Sequence, residues 1–269
     1  MNVKVPVPAA EYFLGSTSQF MNSILFLLII LFQGLQTMAW RSHGINNADL
    51  VEQLCKNGVI TSPIVKQAMM KVDRADFVLP SYLKQAYVDS PLPIGHGATI
   101  SAPHMHAHCL ETLLPHIMKK QNTLKMLDVG HGTGIIPAYV SQMVGPNASI
   151  YGIEHIKALV DMSKENISKN FSHLLASGKI VLKQGDGYAG LPEDGPFDII
   201  HVGAAAPGVP KALVDQLAPE GIMVIPVGKY MQSLTAVMKD TEGKVHEKPL
   251  LGVSYVPLTT VENQESQIF

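Results

Sequence analysis

The sequence predicts an α/β fold, a doubly wound sheet of mostly parallel strands, and three observations carry that prediction. From Lys125 to Val227, short apolar segments of strand length alternate with helical segments, the pattern of a parallel sheet covered on both faces. A glycine-rich turn follows directly on the first of those strands. The chain has 269 residues, 46% apolar and 16% charged, which suits one large domain with a real core and excludes a disordered chain.

The elements follow in order. Asn47 reads as a helix N-cap, with Leu50, Val51 and Leu54 at helical spacing and Gly58 as the stop. Ser62-Pro63 is a strong start for a second helix that turns Ile64, Val65, Ala68 and Met69 inward. The Pro/Gly-rich segment 89–103 reads as loop with a short extended piece, and a helix is expected from about Ala102 to Met118. Strands are then expected at Lys125–Val129, Ser149–Glu154, Ile180–Gln184, Phe197–Val202 and Gly221–Val227. Helices are expected at Ile135–Met143, at about His155–Asn170 and at about Pro210–Leu217. Leu234–Lys239 and Gly252–Leu258 are joined by the polar turn Asp240-Thr241-Glu242-Gly243 and read as an antiparallel hairpin at one edge. The whole is one doubly wound domain with a helical N-terminal lobe.

The N-terminus is different in kind. Ile24–Phe32 is an unbroken run of nine apolar residues, short of the roughly 20 that a spanning helix needs and close to a signal-peptide core of about 7–15. Lys4 is the only basic residue upstream, and no small-x-small cleavage site follows. Three readings of residues 1–37 stand side by side: a cleaved signal, a short anchor through residues 20–36, or a dispensable leader. The body is then residues 38–269. A cytoplasmic protein is expected, with the secretory pathway or the membrane as the alternative if the leader is retained.

The formal charge of -2 argues against a general nucleic-acid binder, which needs a basic face. Two cysteines, Cys55 and Cys109, make neither a disulfide framework nor a zinc motif. His104, His106 and His108 alternate at a helix start, which gives no shared ligand face, so no metal is expected.

The motif that carries chemistry is Asp128-Val129-Gly130-His131-Gly132-Thr133-Gly134. Gly130, Gly132 and Gly134 let the backbone turn sharply and approach a ligand without a Cβ clash. The spacing lacks the longer P-loop and its lysine, which disfavours an NTPase. The next strand ends at Glu154, placed to accept from ribose hydroxyls, and the third ends in Gly185-Asp186-Gly187, where Asp186 can accept from an adenine amino group. Each carboxylate also has a plain structural use, Glu154 at a helix N-terminus and Asp186 as a turn former. Three such features at successive strand ends point to S-adenosylmethionine, with a nicotinamide enzyme as the competitor.

From Met38 onward the chain resembles the protein-L-isoaspartate (D-aspartate) O-methyltransferase family. The strings that carry the resemblance are MAWRS (Met38–Ser42), TISAPHMHA (Thr99–Ala107), HVGAAAP (His201–Pro207) and YVPLT (Tyr255–Thr259). The resemblance implies a Rossmann-like methyltransferase fold, a cytosolic monomer and S-adenosylmethionine as methyl donor. It implies as substrate the free carboxylate of an L-isoaspartyl or D-aspartyl residue in a damaged peptide or protein. The methyl ester then collapses to a succinimide, whose hydrolysis returns some normal aspartate.

Residue by residue, the resemblance implies that Ala98, Thr99, Ile100 and Ser101 lie against the cofactor, with Ser101 the active-site residue. It implies cofactor roles for His106, Asp128, Glu154, His155, Asp186, Gly187, Thr259 and Gln264. The chemistry suits these residue types, since a carboxylate with a pKa near ~4 is already ionised and needs no strong base. Ser101 is expected to donate a hydrogen bond that holds the carboxylate, and its alternative use is as a helix N-cap. Two residues depart from the family pattern: His131 replaces a small residue between the first two glycines, and Tyr188 follows Gly187 where arginine is common. An imidazole there either crowds the ligand or turns away; with all three glycines kept, cofactor binding is expected.

Two other function classes fit the sequence less well. One is a catalytically weak paralogue that binds damaged proteins as a recognition module; it would carry a long C-terminal adaptor, and ten residues follow Thr259. The other is a methyltransferase for small molecules or nucleic acid on the same fold. The acidic balance and TISAPHMHA disfavour it.

Overall fold

The structure is a computed structural model that describes residues 42–260. The leader 1–37 and Gln264 lie outside the described residues.

Two short helices open the body, α1 (Asn47–Lys56) and α2 (Pro63–Lys71), followed by 3-10 turns at Arg74–Phe77 and Pro80–Gln85. The cap of α1 is Asn46, whose side chain accepts from Asp49 N; the Asn47 amide instead donates to Met69 O at 2.9 Å and ties α1 to α2. Ser62 precedes α2 but does not cap it with its side chain. Its hydroxyl donates to Glu111 Oε2 at 2.6 Å, and Glu111 Oε1 also accepts from Thr61 N and Ser62 N.

The segment expected to be mostly loop forms a small hairpin, β1 (Leu92–Gly95) with β2 (Ala98–Ile100). Its turn uses positive φ at Gly95, His96 and Gly97. The hairpin delivers the chain into α3 (Pro103–Lys119).

The main sheet has seven strands in the order β5-β4-β3-β6-β7-β8-β9. Four of its strands fall where the apolar runs predict them: β3 (Lys125–Val129), β4 (Ser149–Glu154), β5 (Ile180–Gln184) and β6 (Phe197–Val202). β7 (Leu217–Val227) begins four residues earlier than expected, with a register shift where it meets β6. All five are parallel, while β8 (Gln232–Lys239) and β9 (Val245–Val253) are antiparallel. The helices between them are α4 (Ile135–Ser141), α5 (Lys157–Ala176) and α6 (Lys211–Asp215). α5 outruns its expected end and kinks at Phe171.

Alternate residues of the strands face opposite layers. Met126, Ile150 and Ile199 pack with the N-terminal helices, α3 and α4; Leu127, Val129, Ile200 and Val202 pack in a second core with Leu213 of α6. Asp128 and His201 therefore fall on the α3 side.

The C-terminal hairpin exists, but its second strand is not the segment the sequence suggests. β8 pairs with Val245–Val253, an edge strand whose first five residues are all exposed. An edge strand with both faces wet loses the apolar alternation that marks a strand. The more apolar stretch after it, Tyr255–Leu258, leaves the sheet and folds back as a strap over the strand ends. Ala205 N donates to Val256 O and Leu258 N to Ala205 O, both at 2.8 Å.

Candidate active site

The strand order reverses between β3 and β6, so the connections after them run to opposite sides of the sheet. In open α/β sheets the crevice at the carboxyl ends beside such a reversal is where ligands bind. Here that crevice is a cleft that opens to solvent.

Its floor is the loop after β3. Gly130, Gly132 and Gly134 have φ of +70, +48 and +83, left-handed conformations that L side chains adopt at a cost. Gly130 and Gly132 line the cleft, and a Cβ at Gly130 would meet no atom of the described residues within 4 Å. Gly134 serves packing instead. It caps α4, and a Cβ there would lie 3.0 Å from Ile167 Cδ1. Gly203, after β6, closes against the same loop: its added Cβ would sit 3.0 Å from Gly130 O.

Glu154 forms the next wall, at the end of β4. It is 7% exposed, and its carboxylate accepts from Gly132 N at 3.3 Å and Ile156 N at 3.1 Å. Both structural and ligand roles are open to it, because each carboxylate oxygen keeps a free lone pair. His155 stands beside it with Nε2 3.9 Å from Glu154 Oε1. Ala98 and Thr99 of β2, Gly187 after β5, and Thr259 of the strap complete the expected residues that line the cleft.

Other expected residues sit just outside it. Ile100 is buried, and Ser101 is half-buried at the entry to α3. Ser101 is not the cap of α3; Ala102 is. His106 is buried beneath, its ring edge-on to Tyr139 at 6.1 Å, and burial pushes its pKa well below the usual value. Asp186 is exposed and forms a turn, accepting from Tyr188 N at 2.9 Å, while its neighbour Gly187 faces the cleft. Asp128 is 1% exposed and points under the loop, its Oδ1 2.6 Å from His201 Nδ1. Two of the three alternating histidines diverge: Asp89 holds both the backbone and the ring of His104, at 2.9 and 2.8 Å, while His106 faces Tyr139.

His131 turns away from the cleft. Its ring is 5% exposed and packs where Gly152 leaves room, since a Cβ at Gly152 would lie 2.8 Å from His131 Cδ2. Neither ring nitrogen has a hydrogen-bond partner among the described residues, and burial lowers its pKa against the pull of Glu154 and Asp128. The bulky residue is therefore accommodated below the loop.

The geometry also brings in residues to which the sequence assigned no role. Val256, Pro257 and Leu258 form a wall of the cleft, and Ala204 faces them from the loop after β6. The signal was present in the strings YVPLT and HVGAAAP, which carry the family resemblance. The donor set fits an adenosine-type cofactor: a glycine cradle with room for a close approach, an anchored carboxylate one strand over, and an apolar strap.

Comparison with known proteins gives the same picture. The profile of the protein-L-isoaspartate(D-aspartate) O-methyltransferase family matches residues 45–263. The chain is 46% identical over 227 residues to protein-L-isoaspartate O-methyltransferase 1 of Arabidopsis thaliana, covering 84% of this chain and 96% of that one. It is 43% identical over 228 residues to the Caenorhabditis elegans protein-L-isoaspartate O-methyltransferase, covering 84% and 98%. A Plasmodium falciparum protein-L-isoaspartate O-methyltransferase, solved in complex with S-adenosyl-L-homocysteine, superposes with a TM-score of 0.73 at 33% identity, covering 80% of this chain and 98% of that one. On the fold, the cleft and these matches together, the chain belongs to the protein-L-isoaspartate (D-aspartate) O-methyltransferase family.

Proposed function

We propose that this protein transfers a methyl group from S-adenosylmethionine to the free carboxylate of L-isoaspartyl and D-aspartyl residues in damaged proteins, the first step of their repair. The observation that carries the reading is the cleft at the sheet reversal, where the glycine loop, Glu154, Ala98 and Thr99 meet in a chain that the family profile matches over residues 45–263.

The bound cofactor supplies an electrophilic methyl group on a sulfonium. Gly130 and Gly132 give it close approach, Glu154 accepts from its ribose hydroxyls, and Thr99, His155, Gly187 and Thr259 complete its surround. Gln264 belongs to the same set by resemblance. Asp128 lies below the loop, paired with His201. The acceptor carboxylate is ionised at neutral pH, so the protein's task is alignment and exclusion of water. Ser101 donates to one carboxylate oxygen and leaves the other free to attack.

The enzyme body is residues 38–269, working as a cytosolic monomer, with residues 1–37 a separate leader. The start of the family match at residue 45 supports that division. Among the described residues no helix is long and apolar enough to cross a membrane.

Calorimetry of the full-length chain with S-adenosylhomocysteine tests the cofactor assignment. One-site binding is expected, and absence of binding contradicts it.

A further inference from the structure

The segment that carries Ser101 is tied at its base by one buried carboxylate. α3 begins without a local cap: its N-cap residue is Ala102, which makes no side-chain bond, and Pro103 has no N–H to give. The first donor that the helix has to place is therefore the His104 N–H. Asp89 takes it from outside the helix. Its Oδ1 accepts from His104 N at 2.9 Å and lies 2.8 Å from His104 Nδ1. An ionised carboxylate only accepts, so Nδ1 carries the ring proton in this pair. The same carboxylate sets a negative charge at the positive end of a 17-residue helix.

Asp89 is itself anchored. It is 0% exposed, and its backbone N–H donates to His43 Nδ1 at 3.0 Å. The carbonyl of Ser90, next in the chain, accepts from Nη2 of the buried Arg74 at 3.3 Å. Between Asp89 and His104 the chain runs out through β1, back through β2 and on to Ser101. Ile100 pairs with Leu92 at the base of that hairpin. Ser101 is thus held between a paired strand residue before it and the clamped His104 after it. Ala98 and Thr99 of the hairpin line the cleft, whereas Asp89 and His104 do not.

We infer that Asp89 is a positioning residue for the methyl acceptor, acting through Ser101: by capping α3 from outside, it fixes where the Ser101 hydroxyl meets the acceptor carboxylate. The inference rests on the reading that Ser101 holds that carboxylate. Without the Oδ1 contacts the first turn of α3 loses its cap, and Ser101 loses one of its two anchors. The pairing of β1 with β2 still keeps Ala98 and Thr99 in place. Alignment is steep in distance, since a displacement of about 1 Å costs a reaction on the order of 100-fold. The effect therefore falls on methyl transfer and spares cofactor binding. Asp89→Asn keeps an oxygen to cap α3 and loses the charge, so it separates the cap from the rest of the carboxylate's contribution to stability.

The test compares full-length wild type, Ser101→Ala, Asp89→Ala, Asp89→Asn and the double variant Ser101→Ala/Asp89→Ala. The readouts are kcat and KM on an isoaspartyl peptide, S-adenosylhomocysteine affinity, and Tm. Asp89→Ala is expected to lower kcat by about 10- to 100-fold at a temperature well below its Tm, more than it changes the peptide KM. Affinity for S-adenosylhomocysteine stays unchanged. Asp89→Asn also lowers Tm but restores most of kcat, which a purely structural carboxylate would not allow. In the Ser101→Ala background Asp89→Ala costs no further kcat. Wild-type kcat in Asp89→Ala overturns the inference. So does a loss that adds in full to that of Ser101→Ala, a loss that Asp89→Asn leaves unrepaired, or one matched by an equal loss of S-adenosylhomocysteine affinity. If Ser101→Ala keeps full activity, the reading of Ser101 fails and takes the inference with it. If only Asp89→Ala keeps full activity, the inference alone fails. Where Asp89→Ala does not fold, His104→Ala carries the test, because it removes the ring's bond and spares the buried carboxylate. A kcat below wild type with unchanged S-adenosylhomocysteine affinity is expected there, and wild-type kcat overturns the inference.

Discussion

Glu154 Oε2 accepts the backbone N–H of Gly132 at 3.3 Å, so the carboxylate that ends β4 also holds the loop that follows β3. Two parts of the proposed cofactor surround are thereby set by one side chain. Glu154→Ala removes the loop contact and, with it, the proposed ribose acceptor. It is expected to weaken S-adenosylhomocysteine binding by about 10- to 100-fold, the scale of one or two hydrogen bonds to a charged group. Glu154→Gln keeps one acceptor oxygen and should fall between the two. Titration calorimetry measures both.

Gly130 and Gly134 separate binding from stability. Both have left-handed φ, which costs an alanine about 1–2 kcal/mol. At Gly134 the new Cβ also presses on Ile167 and Ser163, whereas at Gly130 it meets no atom of the described residues. Gly134→Ala is expected to lower Tm more than Gly130→Ala. Gly130→Ala should lose more affinity for S-adenosylhomocysteine.

The Asp128–His201 pair is buried, and breaking one side leaves a charge without its partner. Asp128→Asn is expected to cost about 3–5 kcal/mol, measured by urea unfolding near neutral pH. The folded pKa of His201 is raised to about 10, above the unfolded value near 6.5. Its contribution is therefore complete below pH ~6.5 and declines as pH rises toward 10. The stability gap between wild type and Asp128→Asn should narrow from pH 7 to pH 9.

His131 has the opposite sign. Burial lowers its folded pKa below the unfolded value, so its share of stability is present above pH ~6.5 and is lost as pH falls. His131→Ser is expected to flatten the acid limb of stability against pH. Because the ring packs beneath the loop, S-adenosylhomocysteine affinity should be unchanged. Unfolding curves from pH 7 to pH 5, with calorimetry, check both.

Much of this was legible in the sequence where physics is local. The buried parallel strands are near-continuous apolar runs, and four of them fall on the expected residues because no other element reads that way. The glycine loop and Glu154 were legible for the same reason, as a strand end followed by a turn. What escaped was non-local. The second strand of the hairpin is a polar edge, while the apolar Tyr255–Leu258 segment owes its composition to the cleft it covers. Asp128 reads as a ligand-facing motif residue, yet its partner His201 is 73 residues away and turns it inward. His131 looked like an obstruction until Gly152, on the next strand, provided the space.

The central claim is that this cleft methylates an isoaspartyl carboxylate. The direct measurement is transfer of a labelled methyl group from S-adenosylmethionine, by the full-length protein, to two peptides that differ only in an isoaspartyl or a normal aspartyl linkage. The account predicts a base-labile methyl ester on the isoaspartyl peptide and none above background on its isomer. Cofactor binding without methylation of the isoaspartyl peptide, or equal methylation of both, would contradict it.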